Sequence, residues 1–175
     1  NPGVAGTSTY DDSFIYNGSP ERFDWKLIGK REAYIPNGNY DFNFQNNITD
    51  MLGEKFFKPE YIRWEKHRVW VVEANLKEGS RHIYNKRRFY VDEDSWTALA
   101  SEAYDGRDNL WRVQYQYSAN LYDMKSIYSL AYGAYDLLQG LYNLNTKPIP
   151  GRYKNGVTEG DKYFTPKGLA RGGVR

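Results

Sequence analysis

Two histidines are the side chains best suited to acid–base or metal chemistry, because imidazole changes its charge near neutral pH. They are His67 and His82, and both fall in a predicted β-hairpin over residues 67–91. His67 lies at the open end of that hairpin and His82 beside its turn. With a strand rise of about 3.3 Å per residue, the two rings are about 25 Å apart. We therefore expect no shared metal ion, and we interpret each as a surface or hydrogen-bonded strand histidine.

Carboxylates are the second candidate group, since glycosidic hydrolysis needs two acids that converge in a cleft. Residues 92–94 are three consecutive acids in a predicted turn, where Asp is favoured for its local backbone hydrogen bonds. Glu65 and Glu73 lie within predicted strands and are the better candidates for a hydrolase of an envelope polymer. A cross-strand partner such as Lys86 or Arg88 explains them more simply.

Other catalytic motifs are absent from the sequence. Cysteine is missing, which excludes a thiol nucleophile, a disulfide framework and a thiolate metal site. No Gly-rich phosphate loop joins a predicted strand to a helix, and no Gly-x-Ser-x-Gly motif occurs. The sequence therefore predicts a protein that is not an enzyme and needs no cofactor or metal.

Aromatic side chains are the unusual feature of the composition, with 17 Tyr, 5 Trp and 8 Phe. From Leu110 to Leu121 apolar and polar residues alternate, which predicts a strand with one apolar and one wet face. Rings of Tyr and Trp suit a lipid ligand, because their bodies contact acyl chains and their polar tips meet head groups. Alternation predicts a ligand-binding face that consists of Trp25, Leu27, Trp70, Val72, Leu99, Trp111, Val113, Tyr115 and Tyr117.

The elements that position this face are predicted to be mainly β, in the α+β class. Period-two patterns predict about seven or eight antiparallel strands in meander order, with few short helices. A hairpin over 128–145 turns at Gln139-Gly140, with a helix over 126–138 as the alternative, and a short helix follows Thr165. Residues 1–20 are predicted to be extended or disordered, and 21–175 to form a single β-rich domain.

The register of one strand pair follows from charge and shape together. The strands over 96–104 and 110–121 are joined by a loop, and apolar residues meet apolar ones in only one alignment. The predicted pairs are Tyr104 with Leu110, Ala103 with Trp111, Glu102 with Arg112, and Leu99 with Tyr115.

The net charge and the hydropathy of the chain argue against two kinds of partner, nucleic acid and a membrane crossed by a helix. The formal net charge is +2 from 24 basic and 22 acidic residues, without the basic excess expected of a nucleic-acid-binding protein. No run approaches the roughly 18 apolar residues that span a bilayer as a helix. We therefore expect a protein that binds neither nucleic acid nor a membrane through such a span.

Several stretches resemble a proteobacterial family of outer-membrane lipoprotein-sorting-like proteins whose function is otherwise unknown. They are PERFDWKLIGKRE (20–32), RWEKHRVWVVEA (63–74), RHIY (81–84), RRFYVDEDSW (87–96), YDGR (104–107), LWRV (110–113) and FTP (164–166). The family is similar to Lol-type lipoprotein carriers, in which a half-open antiparallel barrel holds an apolar cavity under a helical lid. Its members are longer, so this chain resembles a C-terminal portion.

The resemblance implies a periplasmic protein, or one on the periplasmic face of the outer membrane of a Gram-negative bacterium. It also implies a hydrophobic ligand, an inner-membrane export permease and an outer-membrane protein as partners. Two alternatives remain open beside this carrier. One is a structural or interaction protein of an envelope assembly, with the aromatic face as an ordinary closed core. The other is the hydrolase that would use Glu65 and Glu73.

Overall fold

The computed structural model describes residues 6–44, 47–122, 125–128, 131–146, 160 and 165–172. Nine strands lie in this part of the chain. They are β1 (Phe23–Pro36), β2 (Trp64–Leu76), β3 (Lys86–Asp92), β4 (Ala98–Tyr104), β5 (Leu110–Gln116), β6 (Ala119–Leu121), β7 (Ser126–Tyr128), β8 (Tyr132–Asp136) and β9 (Leu141–Asn145). The helices are α1 (Tyr40–Phe44), α2 (Ile48–Met51) and α3 (Pro166–Gly172). Single 3₁₀ turns occur at Tyr10–Asp12, Pro20–Arg22 and Pro59–Tyr61.

Seven of these strands form one antiparallel sheet in the order β1-β2-β3-β4-β5-β8-β9, and β6 pairs separately with β7. The sheet is open, with β1 and β9 as its edges in the described part. The predicted mainly β, antiparallel class with few short helices is therefore confirmed. No described helix is long and apolar enough to cross a membrane.

Local sequence signals account for the ends of several elements. The hairpin of β8 and β9 turns over residues 137–140, where Gly140 has a φ of 65° that a glycine adopts without strain. The alternative prediction of a helix over 126–138 is wrong for the described residues, because Ser126–Tyr128 and Tyr132–Asp136 are strands. The Thr165 hydroxyl accepts a hydrogen bond from the Gly168 amide at 3.0 Å and so caps α3, as predicted.

Three β-bulges interrupt the pairing and decide which face each side chain meets. The register shifts at Ile28 in β1, at Leu99 in β4 and at Trp111 in β5. One inserted residue moves all later side chains of that strand to the opposite face. The predicted pairing of Tyr104 with Leu110 is confirmed. Beyond the Trp111 bulge the other predicted pairs are each wrong, because the partners are Ala103 with Arg112, Glu102 with Val113, and Ala100 with Tyr115.

Curvature distinguishes the two faces of the sheet. Ile35 near the end of β1 packs with Val69, Val71 and Leu99, so β1 reaches β4 across the intervening strands. We call this concave side the inner face, which also carries Tyr115. The opposite side is the outer face, whose residues include Trp25, Val72, Phe89, Arg87, Gln114 and Asp136.

The outer face was predicted to be wet along β5, and this prediction is wrong. Arg112, Gln114 and Gln116 are at most 4% exposed. Residues 6–22 lie over them, and Arg112 reaches the Gly6 carbonyl oxygen at 2.6 Å. The polar side chains of β5 are therefore solvated by the protein itself rather than by water.

Buried ion pairs hold that covering segment. The Asp12 carboxylate lies 2.9 Å from the Arg87 guanidinium and accepts a hydrogen bond from the Tyr84 hydroxyl at 2.8 Å. Arg112 in turn donates to Tyr84 at 2.9 Å and pairs with Asp136 at 3.0 Å. Burial, reinforced by the neighbouring Asp12 carboxylate, raises the pKa of Tyr84, so its hydroxyl stays a donor. This network joins the segment to three strands.

The prediction of an extended or disordered segment over residues 1–20 is corrected for the part that the structure describes. Residues 6–20 contain a 3₁₀ turn, and Ile15 is fully buried against Phe23, Ala74 and Phe89. The Gly, Ser and Asp residues of this stretch are typical of a loop and so predicted little order. The segment is ordered by contacts with distant strands, which local composition does not reveal. Residues 1–5 lie outside the described part.

Replacing Asp12 with Ala should destabilise the fold strongly, by about 3–5 kcal/mol, because the buried Arg87 charge loses its carboxylate. The Arg87 Nε and Nη1 atoms already lack a hydrogen-bond acceptor among the described residues. Urea unfolding followed by circular dichroism measures the loss. Glu32→Gln is the control, since Glu32 forms an exposed ion pair with Lys66. An equal, small effect of both variants would contradict the role assigned to Asp12.

Candidate functional site

A cleft of about 320 Å³ opens on the inner face of the sheet. Its walls come from the second half of β1 and from β3, β4 and β5. The residues that line it are Arg31, Glu32, Ala33, Tyr34, Ile35, Tyr90, Ala100, Ser101, Glu102, Val113 and Tyr115. The cleft thus combines apolar side chains, tyrosine rings and a few charges, which is the composition typical of a small-molecule site.

The bulge at Ile28 creates this cleft. Before it, Leu27 pairs with Val72 on the outer face; after it, Gly29 pairs with Val71 on the inner face. Gly29 has a φ of 139°, where a side chain would be strained. The inserted residue turns Ala33 and Ile35 toward β4, and the small side chains of Ala33 and Ala100 leave the space between the strands open.

A carboxylate network forms the polar wall of the cleft. Glu102 accepts hydrogen bonds from the Tyr90 hydroxyl at 2.9 Å and from the Tyr104 hydroxyl at 2.6 Å. Arg88 lies 3.6 Å from the same carboxylate and 2.8 Å from Glu73. Burial and the bonds to Glu102 raise the pKa values of both tyrosines, so both hydroxyls remain protonated donors. The wall therefore presents satisfied groups rather than a free acid.

The ion pair of Glu73 confirms the simpler reading of that residue. Its hydrogen bond to Arg88 lowers the pKa of Glu73, as expected of a structural carboxylate with a cross-strand cation. For Glu65 the predicted cross-strand partner is wrong, because Glu65 lies 2.5 Å from Arg63, two residues earlier in the chain. The two acids do not converge in the cleft, since neither lines it.

Residues 39–44 and 47–62 cover the other half of the inner face. Phe42 stacks on Tyr117 with ring centroids 4.2 Å apart, and Phe57 meets Tyr142 at 4.8 Å. The Asn43 amide donates to the Tyr117 carbonyl oxygen at 2.8 Å and anchors α1. This half of the inner face is a closed aromatic core, which adjoins the cleft through Tyr115.

The predicted ligand face is divided between the two sides of the sheet. Val113 and Tyr115 line the cleft, Leu99 lies fully buried beside it, and Tyr117 belongs to the closed core. The remaining five predicted residues are on the outer face or at its edge, and they are Trp25, Leu27, Trp70, Val72 and Trp111. A single aromatic face of these nine residues is therefore a wrong prediction.

The outer-face residues have structural partners. Trp25 stacks on Phe89 with centroids 5.7 Å apart and donates to the Pro20 carbonyl oxygen at 2.8 Å. The Lys30 ammonium lies 4.3 Å from the centre of the Trp70 ring. Trp111 donates from Nε1 to Asp136 at 3.0 Å. These rings secure the segment and strands around them and do not form a pocket with Tyr115.

Cleft residues that the alternation missed come chiefly from β1 and from cross-strand pairs. An alternation that ran unbroken through Gly29 would put Arg31, Ala33 and Ile35 on the outer face with Trp25, whereas the bulge puts them on the inner face. An isolated glycine inside a strand is a known sign of a bulge, and it was the one available signal. The link between Tyr90 and Glu102 had no local signal, because it joins neighbouring strands.

His67 is the centre of a second polar cluster. Its Nδ1 lies 2.9 Å from Asp92, and its Nε2 lies 3.2 Å from both Glu65 and Asn37. Asp92 also accepts bonds from the Ser95 amide and hydroxyl, which confirms the predicted turn over 92–95. One ligand atom each of His67, Asp92 and Asp94 lie within 4.8 Å of one another, so these three are the described residues that could hold a metal ion. Internal hydrogen bonds account for the cluster without one.

His82 occupies a separate place under the N-terminal segment. Its Nε2 lies 3.2 Å from Asp11, and its ring centre lies 5.6 Å from that of Phe23. Nδ1 accepts a hydrogen bond from the Tyr84 amide at 3.1 Å. The two histidines thus belong to different clusters, as the predicted hairpin required.

The fold and cleft define a class of protein: an open, curved antiparallel sheet whose concave face is half covered by a short helical segment. Residues 1–170 match the family model DUF1329, described as a protein of unknown function. The chain belongs to this family, which agrees with the resemblance seen in its tryptophan-rich strands.

Relatives place the chain within longer proteins. It is 39% identical over 181 residues to the uncharacterized protein PA3922 of Pseudomonas aeruginosa, covering 99% of this chain and 39% of the relative. The chain thus spans well under half the length of that curated relative.

Two solved structures are similar at a TM-score of 0.45. A domain from Vibrio parahaemolyticus that carries the name outer membrane lipoprotein-sorting protein has 13% identity, with 85% of this chain and 50% of that chain covered. A DUF1329 family protein from Desulfovibrio piger has 14% identity, with 93% and 56% covered.

The two histidines should give opposite pH dependences of stability. Burial alone would lower the pKa of His67, but its bonds to Asp92 and Glu65 outweigh burial and raise the pKa above 6.5. The contribution of His67 is therefore complete below that value and is lost as the pH rises through the folded-state pKa. Burial lowers the pKa of His82 from 6.5, so its contribution is present above that value and is lost as the pH falls.

His67→Gln should accordingly destabilise the protein more at about pH 5.5 than at about pH 8, and His82→Gln should show the smaller loss at the lower pH. Urea unfolding at both pH values provides the comparison, and each variant serves as the control for the other. Parallel pH profiles for the two variants would contradict this assignment.

Proposed function

We propose that this chain is the ligand-holding part of a periplasmic, non-enzymatic carrier for a lipid, a lipoprotein acyl chain or a similar hydrophobic molecule. The observation that carries the proposal is the cleft on the inner face, with Val113, Tyr115 and Ala100 on its strands and Ile35 on the strand that faces them. A site of about 300 Å³ is at the lower end of the range for small-molecule pockets. It suits part of an acyl chain rather than a whole phospholipid.

The surroundings of the cleft support binding over catalysis. Glu102 is bonded to two tyrosine hydroxyls, and Glu73 is paired with Arg88. The pKa of Glu73 is lowered by its hydrogen bond to Arg88, which is the opposite of what a general acid requires. Each methylene that moves from water into an apolar cleft contributes about 0.8 kcal/mol, so a ligand gains affinity from chain length.

The cellular part of the proposal rests on the residues that resemble lipoprotein-sorting-like proteins, such as the stretches over 20–32 and 63–74. In this setting the carrier accepts its ligand from an inner-membrane export permease and passes it to an outer-membrane protein. The open edge of the cleft at β1 is the side from which a ligand enters or leaves.

One observation favours an interaction protein of an envelope assembly as a second candidate function. Leu27 is 60% exposed and Tyr34 is 69% exposed, and both lie on the edge strand β1. Apolar side chains on an unpaired edge strand are suited to contact another protein segment. In this alternative the aromatic core serves only to hold the sheet.

Filling the cleft should remove binding. In the protein with Ala33→Trp, affinity for the neutral fluorescent probe N-phenyl-1-naphthylamine should fall by about tenfold or more, because the indole takes the space of the ligand. Probe titration and native mass spectrometry after exposure to a lipid extract are the measurements. Ala170→Trp is the matched control, since Ala170 is exposed on α3 and does not line the cleft.

Each result of this experiment is informative. Wild-type protein that takes up neither probe nor lipid would overturn the carrier function and leave the interaction protein as the better candidate. Equal binding by Ala33→Trp and Ala170→Trp, with both variants folded by circular dichroism, would show that the ligand lies elsewhere.

A further inference from the structure

The charges that line the cleft are few enough to be accounted for one by one. They are Arg31, Glu32 and Glu102. Glu32 forms an ion pair with Lys66 at 2.7 Å. Glu102 receives two tyrosine hydroxyls and lies 3.6 Å from Arg88. Both acids therefore already have partners.

Arg31 is the exception. It lies on β1 beyond the bulge and pairs with Val69, so its side chain starts on the inner face. Within the described part of the chain, no carboxylate is within ion-pair distance of its guanidinium. The next residue along this row of the sheet is Asp92, whose oxygens are bonded to His67 and Ser95. Arg31 is thus the charged group of the lining that has no ion-pair partner among the described residues, whereas Glu102 shares Arg88 with Glu73.

The apolar part of the cleft continues directly from this cation. Ala33 and Ile35 follow Arg31 on the same face of β1, and Val113 and Tyr115 lie on β5 on the opposite side of the cleft. A molecule that fits both regions has an acidic group at one end and a hydrocarbon chain at the other. Guanidinium binds carboxylate and phosphate oxygens through paired N–H donors, which gives a strong and directional contact.

We propose that the cleft takes a long-chain anionic amphiphile, whose carboxylate or phosphate group is bound by Arg31 and whose chain lies along Ala33, Ile35, Val113 and Tyr115. This inference rests on the proposed carrier function and specifies its ligand class. A cationic amphiphile is disfavoured, because an ammonium group in the head-group position would be repelled by the Arg31 guanidinium.

The test compares ligands that differ only in the head group. Palmitic acid, 1-palmitoyl lysophosphatidic acid, methyl palmitate and hexadecylammonium are used to displace N-phenyl-1-naphthylamine from the wild-type protein at about pH 8, where both acids are ionised. We expect at least one acid to displace the probe at a concentration about tenfold lower than the ester or the amine. Which acid is preferred separates a fatty carboxylate from a lipid phosphate.

Variants then locate the cation. Arg31→Gln should abolish the preference for the acid over the ester while probe binding is retained, and Arg31→Lys should keep part of it as a point charge. Lys26→Gln is the matched control, because Lys26 also lies on β1 without an ion pair among the described residues but does not line the cleft. It should behave as the wild type.

The outcomes separate this inference from the carrier function. Displacement by acid and ester at equal concentrations, a preference for the amine, or equal effects of Arg31→Gln and Lys26→Gln would each overturn the role of Arg31, although the protein would still bind a hydrophobic molecule. Failure of every ligand and of the probe to bind would instead overturn the carrier function itself.

Discussion

One inserted residue at Ile28 decides what the second half of β1 can do. Successive side chains of a strand point to opposite faces, so the insertion transfers Arg31, Ala33 and Ile35 from the outer to the inner face. Without it, Ala33 and Ile35 would point away from Tyr115, and the concave face would have no second wall. Curvature acts in the same direction, because bulges increase strand twist and bring β1 across to β4. The cleft is thus a consequence of strand geometry before it is a consequence of side-chain chemistry.

The inner face leaves a cleft open, whereas the outer face is covered by protein. It is covered although its strands carry the polar side chains of Arg87, Arg112 and Gln114. Buried ion pairs gain little over well-packed apolar residues, but they fix one arrangement because a misplaced partner leaves a buried charge. Asp12 supplies that partner, and the rings of Tyr16, Tyr84 and Phe89 lie 5.1–5.2 Å from the Arg87 guanidinium. An apolar segment could pack on an apolar face in several positions. Residues 6–22 have one position, because only that position pairs Asp12 with Arg87.

Sequence patterns predicted those features that depend on neighbouring residues. The hairpin turn at Gly140, the Asp92 turn and the start of α3 at Thr165 belong to this group. Strands joined by such short turns are antiparallel, so the fold class could be predicted as well. The patterns failed where distant segments decide. Alternation in β5 separates polar from apolar residues, but it does not tell whether water or residues 6–22 cover the polar side. Val113 and Tyr115 were expected on one face of the strand, and both line the cleft, because no bulge lies between them.

In the proposed carrier, the distribution of charge accounts for how an open sheet could select its ligand. Everything buried on the outer face is neutralised within the protein, and on the inner face the Glu102 carboxylate is bonded to hydroxyls whose raised pKa values keep them protonated. The floor of the cleft therefore combines apolar surface and hydroxyl dipoles with the Glu102 carboxylate, which shares the Arg88 guanidinium with Glu73. Arg31 stands at the edge of this surface, where water lowers the penalty for an unpaired cation in the free protein. A ligand head group that replaces that water gains a directed contact, while the chain behind it gains affinity only through its length. In the proposed carrier, the head group of the ligand would therefore determine selectivity, and the length of its hydrocarbon chain would determine affinity.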